Sequence, residues 1–371
     1  MAGDHTPSVV SRRFVVWAAT AVVLSASSAT AQTSRFALDA VVSADADAGS
    51  SVRREPGVWI DIFGAYRLAE GLDFVARPVF LRRTFDGAWN KQMYQLGIRY
   101  ERPSDSGPGW RSLGWRFDAG QMPMPIGIGM LENRQDLNPV ISQHSAYYLP
   151  LPRVDPEIPR SFLIAGSYPF GAQLTLAAKR WDARVAAIDA SPVRGRNFFG
   201  SNRPSRMANW VAGFGVTPHI GLRVGAAFAY GPYAKAREVR DQSRGDRTAL
   251  MAQLEGEWEF RHTRIVGELV RSRFETARAT DTVASGGWIE ATQTLHPRVF
   301  IAGRADIQQI DYSLVDNTSS LQKYHRYEAI AGYRLTRDLT LRGGYMNRKG
   351  YVVFHWDDQF LVSVTWQRKI F

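Results

Sequence analysis

Arginine is the residue type around which any chemistry of this chain would turn. Lysine and arginine number 46 against 35 aspartates and glutamates, a formal charge of +11. The basic residues stand singly among apolar neighbours instead of forming a tract, as at Arg67, Arg77, Arg99, Arg116, Lys179, Arg304 and Arg342. A guanidinium presents a planar fork of N–H donors that matches a carboxylate or a phosphate, so a set of them lining one space would attract and pass anions without any bond being made or broken. A second group is local: Glu132, Arg134, Asp136, Arg153, Asp155 and Arg160 fall in one stretch. Set opposite one another across a narrow gap, these acids and bases would create a transverse field that orders water and sorts solutes by charge and size. On an open surface they would only solubilise a loop.

Catalytic signals are weak by comparison. His144 and Ser145 are adjacent, but neighbours on a strand point to opposite faces and could not act as base and nucleophile. Asp45-Ala46-Asp47-Ala48-Gly49 opens like a calcium loop yet lacks the third acidic ligand and the closing glutamate. The seven histidines show no metal-ligand spacing, and the absence of cysteine excludes a disulfide framework and any thiolate metal site. No reaction and no cofactor are expected.

Strand parity is what would turn the arginines to one side. Successive strand side chains face opposite ways, so placing Val58, Ile60, Ile62, Gly64 and Tyr66 on one face turns Asp61 and Arg67 to the other. The same step applied to Leu72, Phe74, Ala76, Pro78 and Phe80 turns Arg77. Tyr94, Leu96, Ile98 and Tyr100 turn Arg99; Trp115 and Phe117 turn Arg116 and Asp118; Ile301 to Ile307 turn Arg304 and Asp306; Leu341 and Tyr345 turn Arg342 and Arg348. An arginine facing hydrocarbon near a bilayer midplane costs about 2–4 kcal/mol, which assigns the apolar face to lipid and the basic face to water. Sixteen such segments run from 36–44 to 358–371, joined alternately by tight connections such as 68–71, 181–182 and 297–298 and by long ones such as 191–206 and 350–357. The fold expected is all-β: a transmembrane antiparallel β-barrel of about 16 strands, wide enough to enclose water. Inward arginines would pair in part with Asp61, Asp118, Glu255, Glu257, Asp306 and Glu328, and the excess of bases would leave the lumen positive. Tyr66, Tyr94, Tyr100, Trp115, Trp210, Tyr230, Trp258, Tyr333, Tyr345 and Trp366 suit the interfacial girdles of such a barrel.

The remaining segments fit this reading. Residues 1–31 have the form of a signal peptide, with Arg12 and Arg13, an apolar run over 14–24 and Ala29-Thr30-Ala31 at the end. Residues 32–371 then form one barrel domain of charge +10 once Arg12, Arg13 and Asp4 are removed. An exported chain without a basic tract is unsuited to nucleic acid. Residues 122–170 stand apart: they hold eight of the 18 prolines and no strand register. A long unpatterned connection within a compact fold is usually functional.

The last residue, Phe371, follows a strand in which Phe360, Val362, Val364 and Trp366 share one face and Ser363, Thr365, Gln367 and Lys369 the other. This ending resembles that of bacterial outer-membrane barrels, whose terminal aromatic, here with Trp366, is read by the barrel-assembly machinery; Phe371 itself falls on the polar parity, which a bulge or a frayed end would reconcile. Gly120-Gln121-Met122-Pro123-Met124-Pro125-Ile126-Gly127, Asp136-Leu137-Asn138-Pro139 and Gly171-Ala172-Gln173-Leu174 resemble the surroundings of the constriction loop of porins, the phosphate-selective porin superfamily in particular. The resemblance implies a channel for passive diffusion of small anionic or neutral solutes, folded 122–170 inward as a constriction, seated among outer-membrane lipid and lipopolysaccharide as a homotrimer. That superfamily's arginine ladder and lysine cluster do not map onto this chain, so phosphate selectivity is not implied. Two other readings stay open: a non-conducting structural or adhesive barrel plugged by the loop, and an outer-membrane lipid hydrolase using Ser145.

Overall fold

In the computed structural model the described residues are 35–370, except 50–55, 84–87, 104–112, 131–133, 153, 156, 159, 160, 195–207, 241, 277–280, 314–318 and 351–352. Sixteen strands form one closed antiparallel barrel. They are β1 (Phe36–Gly49), β2 (Pro56–Ala69), β3 (Leu72–Arg83), β4 (Trp89–Arg102), β5 (Gly114–Gln121), β6 (Phe170–Ala177), β7 (Trp181–Ile188), β8 (Asn209–His219), β9 (Leu222–Ala234), β10 (Arg247–Phe260), β11 (Thr263–Phe274), β12 (Thr282–His296), β13 (Val299–Ser313), β14 (Ser319–Arg334), β15 (Leu339–Gly350) and β16 (Val353–Lys369). Each pairs with its sequence neighbours, and β1 closes the ring on β16 with Asp39 opposite Lys369 and Gly49 opposite Gln359. Closure removes every sheet edge, which is the condition for a strand protein to sit in hydrocarbon.

The alternation that the composition predicts is the one observed. Leu254 is 60% exposed between Gln253 and Glu255, at 2% and 5%. Phe360, Val362 and Val364 face outward while Leu361, Ser363 and Thr365 are buried. Outward aromatics gather near both rims: Tyr66, Trp258 and Tyr333 at the end with tight turns, Trp210 and Tyr230 at the end with long loops.

Four details depart from the sequence reading. Tyr94 is fully buried in the lumen, not on the outer girdle, because a bulge opposite Pro78 inserts it between Gln95 and Met93 and reverses the parity below it. Proline has no N–H for the ladder, and an extra residue opposite it restores pairing beyond the gap. Lys179 lies in the exposed turn between β6 and β7 and not on the wall, since β6 ends at Ala177 and Trp181-Asp182 already begin β7. The strands at the long-loop end run further than expected, so β15 and β16 are separated by two residues instead of eight. The segment at His144-Ser145 is not extended: Ser145–Tyr148 is a single helical turn, α1.

An arginine at the centre of the outer apolar band tests which face meets lipid. Leu254→Arg should destabilise the barrel by about 2–4 kcal/mol in urea titrations from lipid vesicles. A loss below about 1 kcal/mol would place that face in water.

Candidate functional site: the loop inside the barrel

The connection between β5 and β6, residues 122–169, folds back into the lumen instead of projecting from it. Its two arms meet at the start, where the Met122 and Met124 amides donate to the carbonyls of Pro169 and Ser167 at 3.0 Å each. Proline-rich sequence cannot supply a regular ladder of its own; some amides bond within the loop, as Leu151 N to Ser161 O at 2.8 Å and Gly166 N to Tyr147 O at 3.0 Å, and others find acceptors on the wall. Three buried carboxylates provide them. Glu268 on β11 accepts from the Gly129 amide at 2.9 Å and from the Ile128 amide through Oε1, and from Tyr147 Oη at 2.7 Å and Trp288 Nε1 at 2.9 Å through Oε2. Glu328 on β14 accepts from the Ile141 and Ser142 amides at 2.9 and 3.1 Å and from Ser142 Oγ. Asp306 on β13 accepts from Ser145 N and Oγ at 3.0 and 2.9 Å. The approach to Glu268 needs glycine at Gly127, whose φ is +86° and where a Cβ would fall 1.7 Å from Tyr147 Oη.

Arginines hold the opposite polarity. Arg304 pairs with Glu290 at 2.6 Å and donates to Ser142 O and Asn138 Oδ1 at 2.8 and 2.6 Å. Arg326 joins Asp306 to Gln143 O, and Arg342 donates to Asn138 O, Val140 O, Ser363 Oγ and Thr365 Oγ1. Each loop carbonyl so held is matched by a nearby amide held by an acid. The lumen is therefore crossed by a polar clamp on β11 to β16.

Apolar packing fills the space on the other sides. Met124, Ile126, Met130, Tyr147, Leu163 and Tyr168 of the loop join one buried cluster with Trp59, Val79 and Leu81 of β2 and β3 and with Val211, Ala229, Met251, Val266 and Val270 of β8 to β11. Tyr168 stacks on Tyr94 at 3.8 Å. In the long-loop half of these strands much of the inner face is apolar, with Val79, Leu81, Val211, Ala229, Met251 and Val270 buried there, which departs from the simple apolar-out, polar-in rule of a water-filled barrel.

The sequence-selected residues divide accordingly. Arg134 and Asp136 are brought together, 3.0 Å apart, with Arg134 also reaching Asp39 at 2.7 Å; they are partners of each other and not the two sides of an open gap. Asp155 is buried and accepts the Glu157 amide at 2.7 Å. Glu132, Arg153, Arg160 and Phe371 lie outside the described residues, and Trp366 sits in β16 opposite Leu339. Of the wall residues, Arg77 forms a buried fork on Asp61, and Arg99 and Arg116 converge on Asp118 at 2.8 Å each. Arg304 and Arg342 hold the loop, and Arg67 is an exposed residue 3.6 Å from Asp73. His144 and Ser145 do not form a catalytic pair: Ser145 Oγ donates to Asp306, while His144 lies against Trp288 at 4.0 Å with neither ring nitrogen bonded. Burial, reinforced by Arg304 and Arg326, holds this loop imidazole well below its ordinary range, and it stays neutral. Glu268 escaped the sequence reading. Its signal was an inward acid at the centre of a strand with Glu255 and Trp288, not arginine, as cross-strand neighbours.

No family model and no curated protein matches this chain. Solved structures do. An OmpF of Salmonella typhi in complex with daunomycin matches at 13% identity over 90% of this chain and 97% of its own, with a TM-score of 0.57. The anion-selective porin of Comamonas acidovorans matches at 12% identity over 90% and 98%, with a TM-score of 0.51. The trimer form of OmpT, an outer-membrane protein of Vibrio cholerae, matches at 8% over 90% and 99%, with a TM-score of 0.55. The chain thus has the sixteen-stranded fold of outer-membrane porins over nearly its whole length.

The clamp makes a local prediction. Glu328→Ala removes the acceptor of two buried amides, each worth about 1–3 kcal/mol when left unpaired. Hydrogen exchange at Ile141 and Ser142 should accelerate while the amides of β8 to β12 keep their protection; unchanged exchange would show that the carboxylate does not hold the loop.

Proposed function

We propose that the protein is a bacterial outer-membrane porin, exported with residues 1–31 as its leader, that lets small hydrophilic solutes diffuse through a lumen constricted by the loop 122–170. The observation that carries this reading is the inward loop, anchored at three places on the wall of a barrel of porin fold. A tilt towards anions is supported by the chain's net charge and by lumenal arginines whose partners are carbonyls and hydroxyls, which leave the cationic charge in place. A likeness to the phosphate-selective porins rests on the loop's flanking segments alone. For assembly, a homotrimer is supported by a shallow groove of small residues on the outer face, Gly303, Ala329, Ala331 and Gly343, bordered by Tyr345 and Phe360.

A second reading has its own support. The loop's apolar packing reaches from β2 to β11, and a dry plug of this kind would suit a non-conducting barrel. Hydrolysis is the weakest alternative, given the partners of Ser145.

Planar bilayers separate the two. The intact protein should give open steps, a reversal potential under a salt gradient of the sign for anions, and a larger conductance when residues 138–145 are replaced by a short glycine-serine link. Silent bilayers in which the same excision opens a channel would establish the plug; a cation-preferring potential would remove the anionic tilt.

A further inference from the structure

The outer wall carries a groove that diffusion through the lumen leaves unused. It holds about 700 Å³ and runs obliquely across β10 to β14. Leu254, Leu269, Ile289 and Ile307, each 43–62% exposed, stand along it, and Gly267 and Gly287 lie among them without side chains to fill it. Such a surface accepts a hydrocarbon chain. It shares no residue with the small-residue groove bordered by Tyr345 and Phe360.

The mouth of the groove towards the long loops is polar and basic. One step above Leu269, Gly287, Ile307 and His325 on the same outer face, Arg271 stands opposite Ser285, Ser285 opposite Gln309, and Gln309 opposite Lys323. Neighbouring strands lie about 4.8 Å apart, so about 14 Å separates the two bases at the backbone. Both are exposed, and neither has an ion pair or a side-chain hydrogen bond among the described residues. Between them Gln309 Nε2 donates to Ser285 Oγ at 2.9 Å, which leaves the amide oxygen and the hydroxyl hydrogen for a ligand. Of the acids nearby, Asp281 is taken by Arg273 at 2.6 Å, and Asp311 stands one step further towards the long loops, opposite Val283 and Leu321.

Height along the wall sets what meets this row. Arg271 and the rim aromatic Tyr230 each stand eight residues from the tight-turn ends of β11 and β9. The row therefore lies at the headgroup layer on the side of the long loops, which face outward in barrels of this kind. We infer that groove and row together bind a phosphorylated glycolipid of the outer leaflet, with an acyl chain in the groove, phosphates on Arg271 and Lys323, and sugar hydroxyls over Ser285 and Gln309. A guanidinium matches a phosphate with two N–H donors. One phosphate would have to draw both basic side chains across Ser285 and Gln309, whereas a headgroup with two meets each base where it stands. Free phosphate would leave the groove empty. The site rests on the outer-membrane placement of the barrel and not on conduction.

Native mass spectrometry of the folded barrel in detergent reads bound lipid without any current, so a missing site and a silent bilayer are separate results. Diphosphorylated lipid A should be retained, and its dephosphorylated form and phosphatidylglycerol each at least roughly tenfold more weakly. Arg271→Gln and Lys323→Gln should each weaken lipid A about fivefold or more. Ala305→Phe, which fills the groove from a residue that lines it, should weaken lipid A as well. Lys91→Gln removes an exposed base from β4, across the barrel, and should change nothing. Heat-modifiable mobility on gels establishes that each variant is folded. Equal retention of phosphatidylglycerol or of the dephosphorylated lipid, displacement by inorganic phosphate, or unchanged binding in the variant carrying both Arg271→Gln and Lys323→Gln would overturn the proposal.

Discussion

A carboxylate buried in a barrel wall must be given donors, and for three of those in this protein the donors include amides of the loop itself. Glu268, Asp306 and Glu328 stand on three different strands and accept from Ile128, Gly129, Ile141, Ser142 and Ser145. Neither side of this arrangement is stable alone. Apart from the single turn α1 the loop has prolines in place of regular secondary structure and could not leave its amides buried without acceptors, while an uncompensated carboxylate in the interior would cost several kcal/mol. Position, depth and orientation of the loop all follow from satisfying both at once.

The rest of the lumen is arranged around that clamp. Above it, towards the long loops, the wall offers Val211, Ala229, Met251 and Val270 to loop residues such as Met124 and Leu163, all of them buried. Below it, towards the tight turns, the wall is ionic: Arg184 and Arg223 converge on Glu255, and Arg99 and Arg116 on Asp118. A solute entering from the tight-turn side would meet charge first and the loop second. The barrel is thus two compartments divided by one segment of chain, and any conduction is decided where the loop meets the wall.

Much of this was legible in the residues. Alternation located all sixteen strands, with β3, β10 and β11 spanning the expected residues, because apolar and polar environments on the two faces leave a period of two. The loop was legible by its lack of period. What escaped has physical causes. The bulge that buries Tyr94 depends on what stands opposite Pro78 on the next strand, a non-local fact. Lys179 fell in a turn because strand ends are set by pairing with β5 and β7 and not by composition. The contact of Arg134 with Asp39 on β1, and the role of Glu268, required knowing where the loop goes, and no periodicity encodes a path across a lumen.

The same geometry sorts the arginines by what they can contribute to the field. Arg77 on Asp61 and Arg348 on Asp357 sit in neutral pairs, and their effect on a passing ion is that of a dipole. Arg342 is held by four oxygen atoms that carry no net charge, two carbonyls and two hydroxyls. Such partners stabilise a guanidinium by hydrogen bonding yet do not cancel its charge, which is offset only in part and without an ion pair by Asp45, Glu328 and Asp136; what remains is weakened by distance and by salt over roughly 10 Å at ordinary ionic strength. Counting basic residues therefore overstates the positive character of the lumen, while counting ion pairs understates it. The decisive quantity is how many guanidiniums are held by neutral oxygens, and Arg342 and Arg334 place those at the tight-turn end, below the loop.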